Sequence, residues 1–215
     1  MENIEKKTAR LLLESRAVQL RPDKPFQWAS GWKSPIYCDN RKTLSYPEIR
    51  NFIKNSFVTL INEKYLSTQA IAGVATGAIA QGALVADALG LPFCYVRPEP
   101  KGHGLENLIE GDPQPGQRVV VIEDLISTGN SSLKAVEALR RFGCEVSGML
   151  AVFTYGFPVA MDNFSKAGCL LTTLSNYEVL IKLALELNYI QADTLDILQQ
   201  WRKNPETWDP AGFRK

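Results

Sequence analysis

The chain has 215 residues, 45% of them apolar, enough for one compact α/β core with at most a small appendage. Its 24 basic and 23 acidic side chains leave a net charge of +1, so bulk charge gives no reason to expect nucleic acid or a membrane surface as a partner. The four cysteines, Cys38, Cys94, Cys144 and Cys169, lie far apart without a C-x-x-C, which removes the usual metal and redox motifs and leaves buried free thiols as the expectation.

In chain order, Ile4, Thr8, Leu11, Leu12 and Val18 recur at helical spacing and predict an opening helix over about residues 2–18. Residues 21–46 lack that period. Trp28, Trp32, Tyr37 and Tyr46 alternate there with Ser30-Gly31 and Ser34-Pro35, which predicts short strands and turns forming a small hood over a pocket. Pro47 opens a helix with Phe52, Ile53, Phe57, Leu60 and Ile61 on one face. Residues 70–74 read as a buried strand, a helix follows near 78–89, and residues 93–96 form the next strand. Residues 98–117 are rich in proline and glycine, carry no apolar period and predict a long functional loop.

Val119-Val120-Val121-Ile122 is β-branched throughout, as a central parallel strand buried on both faces requires. Its helix covers about 130–142, with Leu133, Val136, Leu139 and Phe142 inward, and Gly143 stops it. A strand over 145–153, a helix after Pro158, a strand over 169–174 and helices near 176–187 and 191–202 continue the alternation. The tail 204–215 is expected on the surface. The pattern predicts an α/β fold, a central mainly parallel sheet flanked by helices, as a single domain over 1–215 with its core at about 47–203. A charged N-terminus without a signal-peptide pattern, dispersed cysteines and no apolar stretch near the ~18 residues of a membrane span make the cytoplasm the expected location.

Ligands of open parallel sheets bind beyond the carboxyl ends of the strands. At the end of the strongest strand stands Glu123-Asp124-Leu125-Ile126-Ser127-Thr128-Gly129-Asn130-Ser131-Ser132. The backbone N–H groups of such a turn and helix start favour an anion, the hydroxyls of Ser127, Thr128 and Ser131 add donors, and Gly129 lets the backbone come close. Glu123 and Asp124 suit the vicinal hydroxyls of a ribose, or Mg²⁺. Ser-Thr-Gly alone would read as an ordinary helix cap; the whole run on a β-branched strand favours a phosphorylated sugar. No P-loop, G-x-G-x-x-G, H-E-x-x-H or G-x-S-x-G competes with it.

This run resembles the ribosyl-diphosphate signature of the type I phosphoribosyltransferases. Residues 26–37, Phe26 to Tyr37, look like the N-terminal hood of the orotate phosphoribosyltransferases, and residues 97–104, Arg97 to Gly104, like their mobile catalytic loop. The resemblance spans nearly the whole chain. It implies a type I phosphoribosyltransferase fold and a homodimer whose catalytic loop serves the neighbouring subunit's site. It also implies Mg²⁺, held mainly by the substrate with Asp124 as candidate protein ligand, and transfer of phosphoribosyl from its diphosphate to orotate.

On that resemblance Lys101 and His103, with Glu123 and Asp124, are the candidate catalytic groups. Arg97, Lys101, His103 and residues Glu123 through Ser131 (Leu125, Ile126, Ser127, Thr128, Gly129 and Asn130 among them) are expected on phosphoribosyl diphosphate. Ala75, Thr76 and Gly77 occupy the pyrophosphate loop, and Ser127, Tyr155, Ser30, Lys33 and Tyr37 are expected at orotate. Trp28 and its neighbours fit an aromatic mini-core as well, and Asp39 with Arg41 a local ion pair. The chain departs from the family at Pro98 and Thr76, where lysines are frequent, and at Tyr155, which aligns with an arginine on the orotate carboxylate. A relative acting on another base, or a regulator sensing the diphosphosugar, is the alternative; net charge +1 and no added domain speak against the regulator.

Overall fold

The computed structural model describes residues 3–28, 30–99 and 108–209. The first helix, α1 (Ile4–Glu14), starts where the Asn3 side chain accepts the Lys6 N–H at 2.8 Å. It ends earlier than its apolar spacing predicts. Ser15 caps it, Arg16 turns with φ 54°, and Val18 opens strand β1 (Val18–Leu20) instead of closing the helix. Strand β1 pairs antiparallel with β4 (Ile36–Cys38), and β2 (Phe26–Gln27) pairs with β3 (Lys33–Ser34). A short 3-10 helix, Asn40–Ser45, leads into α2 (Pro47–Lys64), whose Ile49, Ile53, Phe57 and Ile61 are buried.

From there the chain alternates through β5 (Ala70–Val74), α3 (Ile79–Leu89), β6 (Phe93–Val96), β7 (Ile109–Glu110) and β8 (Arg118–Ile126). It continues with α4 (Asn130–Phe142), β9 (Glu145–Thr154), α5 (Pro158–Lys166), β10 (Leu171–Asn176), α6 (Tyr177–Glu186) and α7 (Ala192–Lys203). The central sheet has the order β10-β9-β8-β5-β6-β7 and is parallel except for β7. This is the α/β architecture expected from the alternation. Strand β8 separates two apolar layers: Val120 and Ile122 pack with α1, α2 and α6, Val119 and Val121 with α4 and α5. Each such buried aliphatic side chain contributes roughly 1.5–3 kcal/mol, so β8 anchors both halves of the core.

Four expectations change. Residues 109–110, predicted as loop, add β7 to the sheet by pairing antiparallel with β6. Strand β8 runs past the acidic pair to Ile126, because β9 keeps pairing with it as far as Ile126↔Thr154. Phe142 sits at the helix end and is 43% exposed rather than inward. The tail is not wholly superficial: Trp208 is buried in the main core, and Asp209 lies 3.6 Å from the Lys33 ammonium. All four cysteines are free and buried, as their spacing suggests. Among the described residues no helix is long and apolar enough to cross a membrane.

Candidate active site

Strand β5 leads outward to β6 on one side, while the chain returns through β8 on its other side. The turns that leave the carboxyl ends of β5 and β8 therefore diverge and open a crevice, the place where parallel sheets bind ligands. Two segments that are far apart in the chain meet there. A Cβ built on Gly77, in the β5–α3 turn, would collide with the Asp124 carboxylate at the end of β8. Only glycine leaves room for that carboxylate.

The acidic pair is not symmetric. Alternation along β8 turns Glu123 inward, where it is 5% exposed. Its Oε1 accepts the Asp124 N–H at 2.8 Å, and its Oε2 accepts the Ser132 hydroxyl at 2.7 Å. Asp124 is half-buried at the crevice. Burial first, then the adjacent Asp124 charge and a hydrogen bond to its carboxyl, raise the Glu123 pKa well above the ordinary glutamate value of 4.5, against the lowering effect of Ser132. Asp124 thus faces the crevice, with Glu123 behind it.

This arrangement has a pH consequence. A carboxyl whose pKa is raised by folding binds more protons in the native than in the unfolded state, so stability falls as pH climbs above 4.5 toward the raised value. Glu123→Gln keeps an acceptor for the Asp124 N–H, offers its amide N–H to a Ser132 hydroxyl that turns from donor to acceptor, and cannot ionise. It is expected to raise the melting temperature of the ligand-free protein at pH 8 and to change it little at pH 4; thermal melts across that range check this. A variant less stable than the parent at pH 8 would contradict it.

The turn after β8 is braced from behind. Gly129 has φ 81°, which favours glycine, and a Cβ there would stand 2.7 Å from the Phe164 ring. The Asn163 side chain donates to the Thr128 carbonyl and to Asn130 Oδ1, both at 3.0 Å. Helix α5 therefore braces the turn from which α4 starts, and the first N–H groups of α4 have no partner within the helix. Ser127 and Thr128 are half-buried, Asn130 and Ser131 exposed; Leu125 is half-buried and Ile126 fully buried, so Ile126 can offer a ligand its backbone only. Asn40, Ser132 and Asn163 carry this geometry and had no signal of their own. Ser132 ends the run after the strand but carries nothing that sets it apart from Ser131, and the two asparagines lie in other elements.

In the β5–α3 turn, Ala75 donates its N–H to the Val96 carbonyl at 2.8 Å, and the Ala75–Thr76 peptide is cis. Arg97 bonds the Leu108 carbonyl through its backbone and Glu110 through Nη1 at 3.2 Å. A partly exposed pair of this kind is worth about 0–1 kcal/mol. A cavity of about 530 Å³ adjoins both turns, touching Ala75, Arg97 and Ser131 over a floor of Val74, Val96 and Ala135. Lys101 and His103 lie outside the described residues.

The base-side candidates divide. Ser30 and Lys33 are exposed, Lys33 beside Asp209, and Tyr37 is partly exposed with its ring 5.3 Å from that of Phe26. Asp39 and Arg41 form the local pair at 2.7 Å, which holds Asp39 below the ordinary carboxylate range. Tyr155 does not line the crevice. It is 2% exposed, packed against Trp28 (4.9 Å), Phe157 (5.6 Å) and Trp201 (5.9 Å), because β9 carries it into the aromatic layer under α7. Trp28 and Trp32 join the same layer, so the mini-core reading holds for them.

Among the described residues no group of three or more acidic, histidine or cysteine side chains forms a metal cage. Mg²⁺ characteristically takes one or two carboxylates and fills its shell with water and substrate phosphate. Half-buried Asp124, beside the turn of residues 127–131, fits that donor set.

Turns that leave two neighbouring strand ends with the Asp124 carboxylate between them, one of them opening a helix, define an α/β crevice of the class that takes phosphorylated ligands. The family model described as phosphoribosyl transferase domain matches residues 41–179. An orotate phosphoribosyltransferase of Porphyromonas gingivalis is 61% identical over 208 residues, 97% of this chain and 99% of that protein. The crystal structure of an orotate phosphoribosyltransferase from Aeropyrum pernix superposes with TM-score 0.74 at 31% identity, over 85% of this chain and 99% of that one. A Mycobacterium tuberculosis orotate phosphoribosyltransferase in complex with 5-phospho-alpha-D-ribosyl 1-diphosphate gives 0.65 at 25% identity, over 82% and 98%. The chain belongs to the phosphoribosyltransferase family.

Proposed function

We propose that the chain transfers the phosphoribosyl group of 5-phospho-α-D-ribosyl 1-diphosphate to orotate, forming orotidine 5′-phosphate and pyrophosphate in pyrimidine biosynthesis. The observation that carries this is the meeting of the Gly77 turn and Asp124 at the switch point of the sheet. The base follows from the relatives, which are orotate phosphoribosyltransferases at up to 61% identity over nearly the whole chain.

In this reading the amides and hydroxyls of residues 127–131 hold the 5′-phosphate. Asp124, backed by Glu123, accepts hydrogen bonds from the ribose hydroxyls. Ala75, Thr76 and Gly77 face the diphosphate with Arg97, and Ser30, Lys33, Tyr37 and Ser127 approach orotate. The bond from the anomeric carbon to the pyrophosphate oxygen breaks ahead of bond formation to the base nitrogen. Positive charge then grows on the ribose ring near Asp124, while negative charge grows on the departing pyrophosphate near Arg97, Lys101 and His103. Mg²⁺, with Asp124 as its candidate protein ligand, would neutralise diphosphate charge. The 98–110 segment excludes water from the activated sugar. It does so in a cytoplasmic homodimer, reaching the neighbouring subunit's site.

The test is an absorbance assay with purified protein, orotate, the diphosphosugar and Mg²⁺. Loss of orotate is expected. Turnover of adenine, xanthine or uracil instead would reassign the base, and no turnover of any base would overturn the enzymatic reading. In the same assay Lys101→Ala is expected to lose about 10²–10³ in rate, the usual cost of removing one well-placed charge contact; a wild-type rate would remove Lys101 from the mechanism.

A further inference from the structure

Strand β5 accompanies β8 only as far as Gly73↔Ile122, while β8 continues to Ile126. Asp124 lies beyond that ladder, and its backbone groups are satisfied by side chains. Its N–H goes to Glu123 Oε1 at 2.8 Å, and its carbonyl accepts from Asn40 Nδ2 at 2.6 Å. Asn40 opens the 3-10 helix that follows β4, 84 residues away in the chain. It is 3% exposed and fixed on its other sides. The Cys38 thiol donates to its Oδ1 at 3.2 Å, and the Thr43 hydroxyl donates to its carbonyl at 2.6 Å. With its acceptor engaged by Cys38, the Asn40 amide is oriented to present its N–H to Asp124. Burial of Cys38 pushes its thiol pKa well up, so it remains a neutral donor to Asn40.

We infer that Asn40 is a positioning residue for phosphoribosyl transfer: it stands in for the missing strand beside Asp124 and aims that carboxylate past Gly77 into the crevice. This rests on the reading of Asp124 as the ribose-holding group. A buried amide with every polar atom engaged holds its partner in one place. Without it the end of β8 is free to shift, and Asp124 leaves the narrow space that Gly77 provides. The residue also gives the segment before α2 a role beyond contact with the base.

The test is a double-mutant cycle on the full-length protein, with kcat and both KM values measured. Asn40→Ala is expected to lower kcat/KM for the diphosphosugar about tenfold, the lower end of what orienting partners of functional groups cost, while the KM for orotate stays within about twofold. In an Asp124→Asn background, Asn40→Ala is expected to have almost no further effect, because there is no carboxylate left to aim. A second, undiminished tenfold loss in that background would show that Asn40 acts independently of Asp124 and would overturn the inference. So would a wild-type rate for Asn40→Ala, or a rise in the orotate KM matching the loss. If Asp124→Asn itself kept full activity, the ribose-holding reading would fall first and the inference with it. Should Asn40→Ala not fold, Asn40→Asp, which keeps the side-chain shape and the acceptor for Cys38, goes through the same cycle with the same expected outcomes.

Discussion

Gly77→Ala is expected to reduce turnover about a thousandfold while leaving the protein folded. The added methyl group has no free space, because the Asp124 carboxylate occupies it. Asp124 is short and its backbone is held by Asn40 and by Glu123, so the carboxylate can make way only by rotating about the Cα–Cβ bond, which takes it from the position it holds beside Gly77. Misplacing a reacting group by about 1 Å costs on the order of 10² in rate, and displacing the adjacent turn from the diphosphate adds roughly a further factor of ten for weakened charge contacts. The rest of the fold has little reason to respond. Gly77 precedes α3 rather than lying within it, and the buried face of α3 is carried by Gln81, Gly82, Val85 and Ala86. Steady-state rates with far-ultraviolet circular dichroism check both halves. A folded variant with more than a tenth of the parent's activity would show that the close approach of Gly77 and Asp124 does not serve catalysis. If the approach does serve catalysis, Gly77→Ala combined with Asp124→Asn should be no worse than the poorer of the two single variants.

The second large effect is on stability. Trp201→Ala is expected to remove roughly 3–5 kcal/mol for the lost volume alone, and to lower the melting temperature by about 10 °C in a chain of this size. Trp201 is 0% exposed and is packed against Trp28 (5.5 Å), Phe157 (5.6 Å), Tyr177 (5.6 Å) and Tyr155 (5.9 Å). Its indole N–H donates to the Lys33 carbonyl at 3.1 Å, tying α7 to the hood. Arg202, next along α7, donates to the Gly156 carbonyl at 3.0 Å and lies over the Tyr177 ring. Deleting the indole therefore opens a cavity between three segments and strands a carbonyl. With a typical domain stability of 5–15 kcal/mol, that is a large part of the total. Trp201→Phe keeps most of the ring and should lie between the two in a denaturant titration. A melting temperature within 2 °C of the parent for Trp201→Ala would mean the aromatic layer is not a stabilising element.

These two residues mark how far the sequence could be read. Gly77 was visible as one of three small residues in a tight βα turn, but its neighbour Asp124 was not. Trp201 sat in a helix expected near 191–202, yet nothing local tied it to Lys33. Tyr155 was placed at the base by alignment with an arginine, and the tertiary packing put it inside. The opening helix was drawn too long because Val18 is apolar at helical spacing, and a strand buries such a residue equally well.

What the sequence determined by itself was the order of strands and helices, the buried central strand and the run Glu123–Ser131, because the period of apolar residues and the chemistry of turns are local properties. The tertiary structure alone decided which carboxylate faces the crevice, that Asn40 and Gly77 frame Asp124, and that the tryptophans close a core instead of a pocket. Those outcomes depend on contacts between segments 84 or 168 residues apart in the chain. No local pattern encodes such a contact, since each partner's own neighbours would look the same without it.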